Sequence, residues 1–337
     1  MRTLTAHHLE VTLEALTAVE LNEHQGAALR GALYYGLRRF CAQQHLSSCV
    51  ECTLVAACPV ATLVSTLDLQ AERGRDLPRP YVIDPPLDGR MSLQPGDTLT
   101  FGLTLFARAL QLFPYVVLAL SGLEETGLGR RVFAAGGQRG RMRLAQAAAT
   151  NPLTGARQAV LSPGERTVRV PDLPITHQQV LAAASQYRGG RLALDFLTPT
   201  RLVDQGRLVK TPEFGPLVHR LCRRLSDLER EYATDEAGQG PGAGMPTQED
   251  MYRLVGLARQ VRLVQDETEW IELESYSARQ RRRTPISGFI GRAVYEGDLA
   301  PFLPWLIWGQ VAHVGKDAVK GNGWYAVAHA RRAAPNT

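Results

Sequence analysis

A chain of 337 residues with 45% apolar and 21% charged side chains is long enough for two globular domains and too apolar to stay disordered. Its net charge of +5 permits a polyanionic partner without demanding one. No apolar run reaches the roughly 20 residues needed to cross a bilayer, and no basic-then-apolar leader opens the chain. A cytoplasmic protein is therefore expected, its five cysteines thiols or metal ligands rather than disulfides.

Residues 4–15 alternate, with Leu9, Val11, Leu13 and Ala15 opposed to Glu10, Thr12 and Glu14, which predicts a half-buried strand. Leu21 to Gly26 breaks that pattern. Leu29, Leu33, Leu37 and Phe40 then recur at helical spacing, which places His24 at a helix entrance. Cys41, Cys49, Cys52 and Cys58 follow within 18 residues, spaced C-x7-C-x2-C-x5-C. The central C-x2-C suits a tetrahedral zinc or an iron–sulfur cluster of structural type, with His45 able to replace one sulfur. Buried free thiols are the other reading.

Past a proline-broken connection, Thr98–Phe106 reads as a strand and Ala107–Leu120 as a helix carrying Pro114. A glycine- and arginine-rich loop with Arg130, Arg131, Arg139, Arg141 and Arg143 leads into a strand from Met142. Residues 150–187 suit a connector with an edge hairpin. A second unit opens with a strand over Arg191–Thr200. Phe214–Tyr232 is an amphipathic helix with Leu217, Leu221, Leu225 and Leu228 on one face and Arg220, Arg223, Arg224 and Arg230 on the solvated remainder. The glycine-rich run 238–244 looks like an insertion. Helix is expected over 251–265, a strand over Trp270–Tyr276, a basic hairpin tip with Arg279, Arg281, Arg282 and Arg283, a strand over Phe289–Tyr295, and a helix over Asp298–Trp308 capped by Asp298. A final strand covers Trp324–Ala328. The order predicts an α+β chain of two tandem ferredoxin-like, β-α-β-β-α-β domains with a cysteine-rich insertion in the first. The expected boundaries are 1–150, a connector 151–187, a second domain 188–330 and a tail 331–337.

Between the last helix and strand lies a loop with Gly315, Gly321 and Gly323. It also holds Lys316 and Lys320, two of only three lysines among 38 basic residues. Glycine allows close backbone approach and lysine supplies a mobile charge, so the loop reads as a polyanion contact or as a flexible turn.

Several segments together resemble the CRISPR-associated precursor-RNA processing endoribonucleases of the repeat-associated (RAMP) superfamily. They are Asp195–Leu202, Cys222–Leu225, Tyr276–Gln280, Gly288–Gly291, Tyr295–Leu299, and His313–Lys316 through Gly321-Asn322-Gly323, with Leu29–Leu33 and the cysteines in the first half. One departure is Lys320, where members of that family usually carry an apolar or aromatic residue before the last Gly-x-Gly. The resemblance implies metal-independent cleavage of CRISPR repeat RNA by its own 2′-OH, with a 2′,3′-cyclic phosphate left on the product. Histidine suits the proton transfers. His24 is the first candidate, His45 the second and His313 the third, with Tyr34 or Tyr35 as helpers. The arginines at 130–143 and 279–283, with Gly315, Lys316, Lys320, Gly321 and Gly323, are the RNA-binding candidates. Other CRISPR effector subunits or a second copy of the chain are further partners; no membrane is expected. The alternative function is a catalytically silent RNA-binding subunit of the same superfamily. A third class, a metal-dependent nucleic-acid enzyme built on the cysteines, lacks an accompanying carboxylate cluster.

Overall fold

The computed structural model describes residues 4–41, 49, 52–55, 58–64, 78–132, 136–233, 247–277 and 282–329. The first domain is built from β1 (Thr5–Ala15), α1 (Gln25–Arg38), β2 (Tyr81–Asp84), β3 (Thr98–Phe106), α2 (Phe113–Ser121), β4 (Met142–Thr150) and β5 (Arg157–Leu161). Its strands lie in the antiparallel order β2-β3-β1-β4-β5. The second domain uses β6 (Arg191–Thr200), α3 (Phe214–Tyr232), β7 (Arg262–Ile271), β8 (Gly288–Glu296), α4 (Leu303–Ala312) and β9 (Tyr325–His329), in the order β7-β8-β6-β9. Each domain places its second strand outermost, then its third, first and fourth. That is the ferredoxin-like arrangement, here in tandem, with β5 added to the first sheet as the expected edge hairpin.

Burial follows the sequence periodicities. In β1, Leu9, Val11, Leu13 and Ala15 are buried while His8, Glu10, Thr12 and Glu14 are not. In α3, Leu217, Leu221, Leu225 and Leu228 are fully buried. Three expectations shift. Helix over 251–265 gives way to a helix over Gln248–Ala258 and then β7, which starts at Arg262 rather than Trp270. The β7 edge strand is mostly exposed and carries Asp266, Glu267 and Glu269, so apolar alternation is absent; charge on an edge discourages strand pairing between molecules. Asp298 is not a cap: a 3-10 turn, Ala300–Phe302, precedes α4, which has proline in its first turn and no side-chain cap. Proline lacks the N–H that a cap would satisfy. Arg224, expected on a solvated face, has Nη2 out of solvent and donates through Nε to the Ala312 carbonyl at 2.7 Å. Burial lowers it to about 10, with Asp227 opposing.

The two cores interlock. Leu4, just before β1, and Ala6, Val82 and Phe106 of the first sheet sit in the second domain's apolar cluster. Val319, from the glycine-rich loop, sits in the first domain's cluster. That loop is fastened on every side. The Val314 N–H donates to Gly323 O at 3.0 Å, the Lys316 N–H to Arg201 O at 3.0 Å, and the Gly323 N–H to Pro199 O at 3.1 Å. Thr198 Oγ1 donates to Gly321 O at 2.7 Å. Gly323 has φ +72, and a Cβ there would lie 1.8 Å from Val314 O. Gly31, inside α1, faces open space instead. Gly323→Ala should therefore lower the unfolding free energy by about 1–3 kcal/mol, whereas Gly31→Ala should raise it by about 0.5–1 kcal/mol. Urea denaturation of both variants checks the opposite signs.

Candidate active site at the domain junction

Val319 sinks into the first core, so the loop wraps edge strand β2: a Cβ on Gly321 would strike Pro85 Cδ at 2.6 Å and Ile83 O at 2.9 Å. On the helix side it meets α1, where a Cβ on Gly26 would overlap Lys320 O. His24 caps α1: its Nδ1 accepts the Ala27 N–H at 3.1 Å. An N–H can only donate, so Nδ1 holds a lone pair and the proton sits on Nε2. Nε2 in turn donates to Asn322 Oδ1 across the junction. Asn322 is fully buried, and its amide donates to Ile286 O at 3.0 Å, which fixes Oδ1 as the acceptor. Burial holds the His24 imidazole below the ordinary histidine range, with Lys320 acting the same way and Asn322 and Asp317 opposing.

His313 ends α4 with φ +56, is fully buried and stacks on Trp324 at 6.0 Å between ring centroids. Its Nε2 donates to Asp84 Oδ1 at 2.8 Å, a second bond across the junction, and its Nδ1 has no partner. Burial works against the Asp84 carboxylate, but His313 and the charge of His8 outweigh it and hold the group below the usual carboxylate range. Lys316 is exposed, while Lys320 pairs with Asp317 at 2.8 Å.

The structure thus joins His24, His313, Lys320, Gly321 and Gly323 in one assembly, with Gly315 packed on Arg201 O. His45, Arg279 and Arg281 lie outside the described residues. Arg282 is placed in the strand Arg282–Pro285, and Arg283 pairs with Glu274 at 3.3 Å. In the other arginine group, Arg143 pairs with Glu14 at 2.8 Å, Arg130 lies 3.8 Å from Glu20, and Arg139 donates to Gly129 O at 2.5 Å. Arg131 and Arg141 are exposed without an ion-pair partner among the described residues. Three further residues touch this assembly without a local signal: Asn322 and Asp84 reach it by contacts across the junction, and His8 by cross-strand contacts to Thr104 and Asp84 within the first sheet, none of which local periodicity encodes.

Cys41, Cys49, Cys52 and Cys58 are half-buried thiols between α1 and the short helix Pro59–Val64. Among the described residues no group of three or more His, Cys, Asp or Glu is arranged to hold a metal ion; much of the segment between Cys41 and Cys58 lies outside them. Burial pushes the Cys49 thiol up, Arg38 opposes, and the other three cysteines add to the rise. Cys58 Sγ accepts the Ala61 N–H at 3.5 Å. Among the described residues no helix is long and apolar enough to cross a membrane.

A family model described as CRISPR-associated endoribonuclease Cas6 matches residues 194–325, the stretch that runs from β6 through the glycine-rich loop. Over that stretch, which holds most of the second domain, the chain is similar to the Cas6 endoribonucleases. A second model, an N-terminal domain, matches residues 4–173. No curated protein matches in sequence. Among solved structures, a Cas6 product complex is 16% identical over 96% of this chain and 99% of that one, with a TM-score of 0.55. Thermus thermophilus Cas6 is 14% identical over 96% and 99%, with a TM-score of 0.53. The chain of a partial Cas6-RT-Cas1–Cas2 complex is 14% identical over 98% of this chain but only 47% of its own length, with a TM-score of 0.57. At these identities the likeness is one of fold, and the Cas6 fold is what brings α1 and the loop together.

His24→Ala removes a helix cap and a junction bond, and should cost about 1–3 kcal/mol. The imidazole is held below 6.5 in the folded chain, so the unfolded chain takes up the extra proton first. Its contribution to stability is therefore present above pH 6.5 and lost as pH falls towards the folded value. Melting temperatures from pH 7.5 down to 5 should fall more steeply for the wild type than for His24→Ala.

Proposed function

We propose that this chain cleaves CRISPR precursor RNA within its repeats. The 2′-OH of one nucleotide attacks the adjacent phosphorus and leaves a 2′,3′-cyclic phosphate and a 5′-OH. The observation that carries the reading is the fastened glycine-rich loop. It holds its backbone rigid at the domain junction, turns Lys316 outward and keeps Lys320 beside His24. A phosphodiester needs such a frame, because its cleavage demands alignment of three atoms and a preorganised positive field for the added negative charge. The nucleophile belongs to the RNA, so no metal is required to create it. The fold relative seen as a product complex is in keeping with this reading.

His24 serves this chemistry as a brace, with both ring nitrogens occupied by the α1 cap and Asn322. Arg131, Arg141 and Lys316 are exposed and available to phosphates, suiting recognition of an RNA stem by shape and backbone. Arg143 and Arg283 are engaged with carboxylates and would have to exchange partners. A chain of similar fold in a Cas6-RT-Cas1–Cas2 complex supports other CRISPR proteins as partners.

Incubating the purified protein with its cognate repeat RNA in excess EDTA tests the reading. Cleavage that leaves a cyclic phosphate is the expected outcome, and a 2′-deoxy nucleotide at the cut should abolish it. Tight binding without cleavage would favour the silent subunit, and cleavage abolished by EDTA would point to metal-dependent chemistry.

A further inference from the structure

A proton acceptor needs an imidazole lone pair that substrate can reach. His24 offers none: Nδ1 takes the Ala27 N–H and Nε2 is the donor to Asn322. His313 holds one on Nδ1, but that atom is sealed from solvent. His8 is different. It lies in β1, and its side chain is 20% exposed at the rim where the first sheet leaves the second domain's core. Its Nδ1 stands 3.0 Å from Thr104 Oγ1 and 3.5 Å from Asp84 Oδ2. A lone pair on Nδ1 would face the Asp84 carboxylate, so Nδ1 carries the proton and Nε2 the lone pair. Nε2 is not among the buried, unpaired atoms and has no hydrogen-bond partner among the described residues.

The dyad is built rather than incidental. Asp84 keeps its orientation because its other oxygen accepts from His313 at 2.8 Å. Gly102, directly across from Asp84, leaves room for the carboxylate: a Cβ there would lie 2.5 Å from Asp84 Oδ2. The next outward carboxylates on β1 are neutralised, Glu10 by Arg157 at 2.6 Å and Glu14 by Arg143 at 2.8 Å. A phosphate approaching this face is thus not opposed by unpaired charge from them. Asp84 also follows Ile83 and precedes Pro85, on which Gly321 of the glycine-rich loop packs, so the dyad stands at the foot of that loop.

We propose that His8 is the general base of the RNA cleavage, with Asp84 as the positioning residue that fixes its tautomer; this rests on the endoribonuclease reading above. His8 Nε2 takes the proton of the 2′-OH. The 2′ oxygen bonds to the adjacent phosphorus as the bond from phosphorus to the 5′ oxygen breaks. The 5′ oxygen takes a proton from water, and the imidazolium returns its proton to the hydroxide so formed. Asp84 balances the transient imidazolium charge.

Single-turnover cleavage of the cognate repeat RNA, alongside binding of the same RNA with a 2′-deoxy nucleotide at the cut, tests this. His8→Ala should slow cleavage by about 10²–10⁴-fold, leave deoxy-RNA binding within about twofold, and regain part of the rate with added imidazole. His8→Gln, which keeps a polar contact for Thr104, should be equally slow and melt near the wild type. Asp84→Asn should slow the wild type and add no further loss in the His8→Ala background. Wild-type cleavage by His8→Ala overturns the proposal, as does a loss matched by weaker binding and untouched by imidazole. A wild-type protein that binds repeat RNA without cutting it overturns the endoribonuclease reading instead, before any variant is compared.

Discussion

The structure depends on the seating of Gly321-Asn322-Gly323 between two sheets. Asn322 is fully buried, and its amide spans three parts of the chain: its own loop, Ile286 before β8, and His24 at the start of α1. A buried amide costs free energy unless each of its groups is satisfied. The arrangement therefore specifies one geometry for all three parts at once. The flanking glycines make it sterically feasible, since a side chain at 321 would strike Pro85 and one at 323 would strike Val314 O. The His313–Asp84 bond fixes the same loop from its other end, and Arg224 holds the carbonyl just before it. These two junction bonds turn tandem domains into a single frame, and the exposed lysine is carried on that frame.

Much of this was legible in the order of residues. The period-2 alternation of β1 and the leucine stripe of α3 are dictated by burial on one face, so the two ferredoxin-like units and their tandem order follow from sequence. His24 at the entrance of α1 was also readable, because capping is a local event. What was not readable was β7, where exposure on a sheet edge removes the apolar pattern that marks a strand. The fate of Arg224 was hidden too, since a charged residue on a helix flank looks solvated until its acceptor on α4 is known.

The site divides in the same way. The glycine-rich loop announced itself by composition, but its rigidity comes from partners at Thr198, Pro199 and Arg201, more than a hundred residues earlier. The histidines illustrate the limit most sharply. A histidine's usefulness depends on which nitrogen keeps a lone pair and whether that nitrogen meets solvent, and both are set by tertiary contacts. His24, the first candidate by its place at the helix entrance, has both nitrogens engaged. His8, an ordinary outward residue of an alternating strand, gains a carboxylate partner only because β2 and Gly102 bring Asp84 beside it.

The central claim is that the glycine-rich loop is a rigid joint and not a flexible turn. Amide hydrogen exchange at Val314, Lys316 and Gly323 tests it most directly, since their N–H groups are bonded to Gly323, Arg201 and Pro199 carbonyls. The account predicts protection in the RNA-free protein close to that of strands β1 and β6, and its loss when Asn322 is replaced by alanine. Rapid exchange at these amides in the unmodified protein, with β1 and β6 still protected, would contradict it.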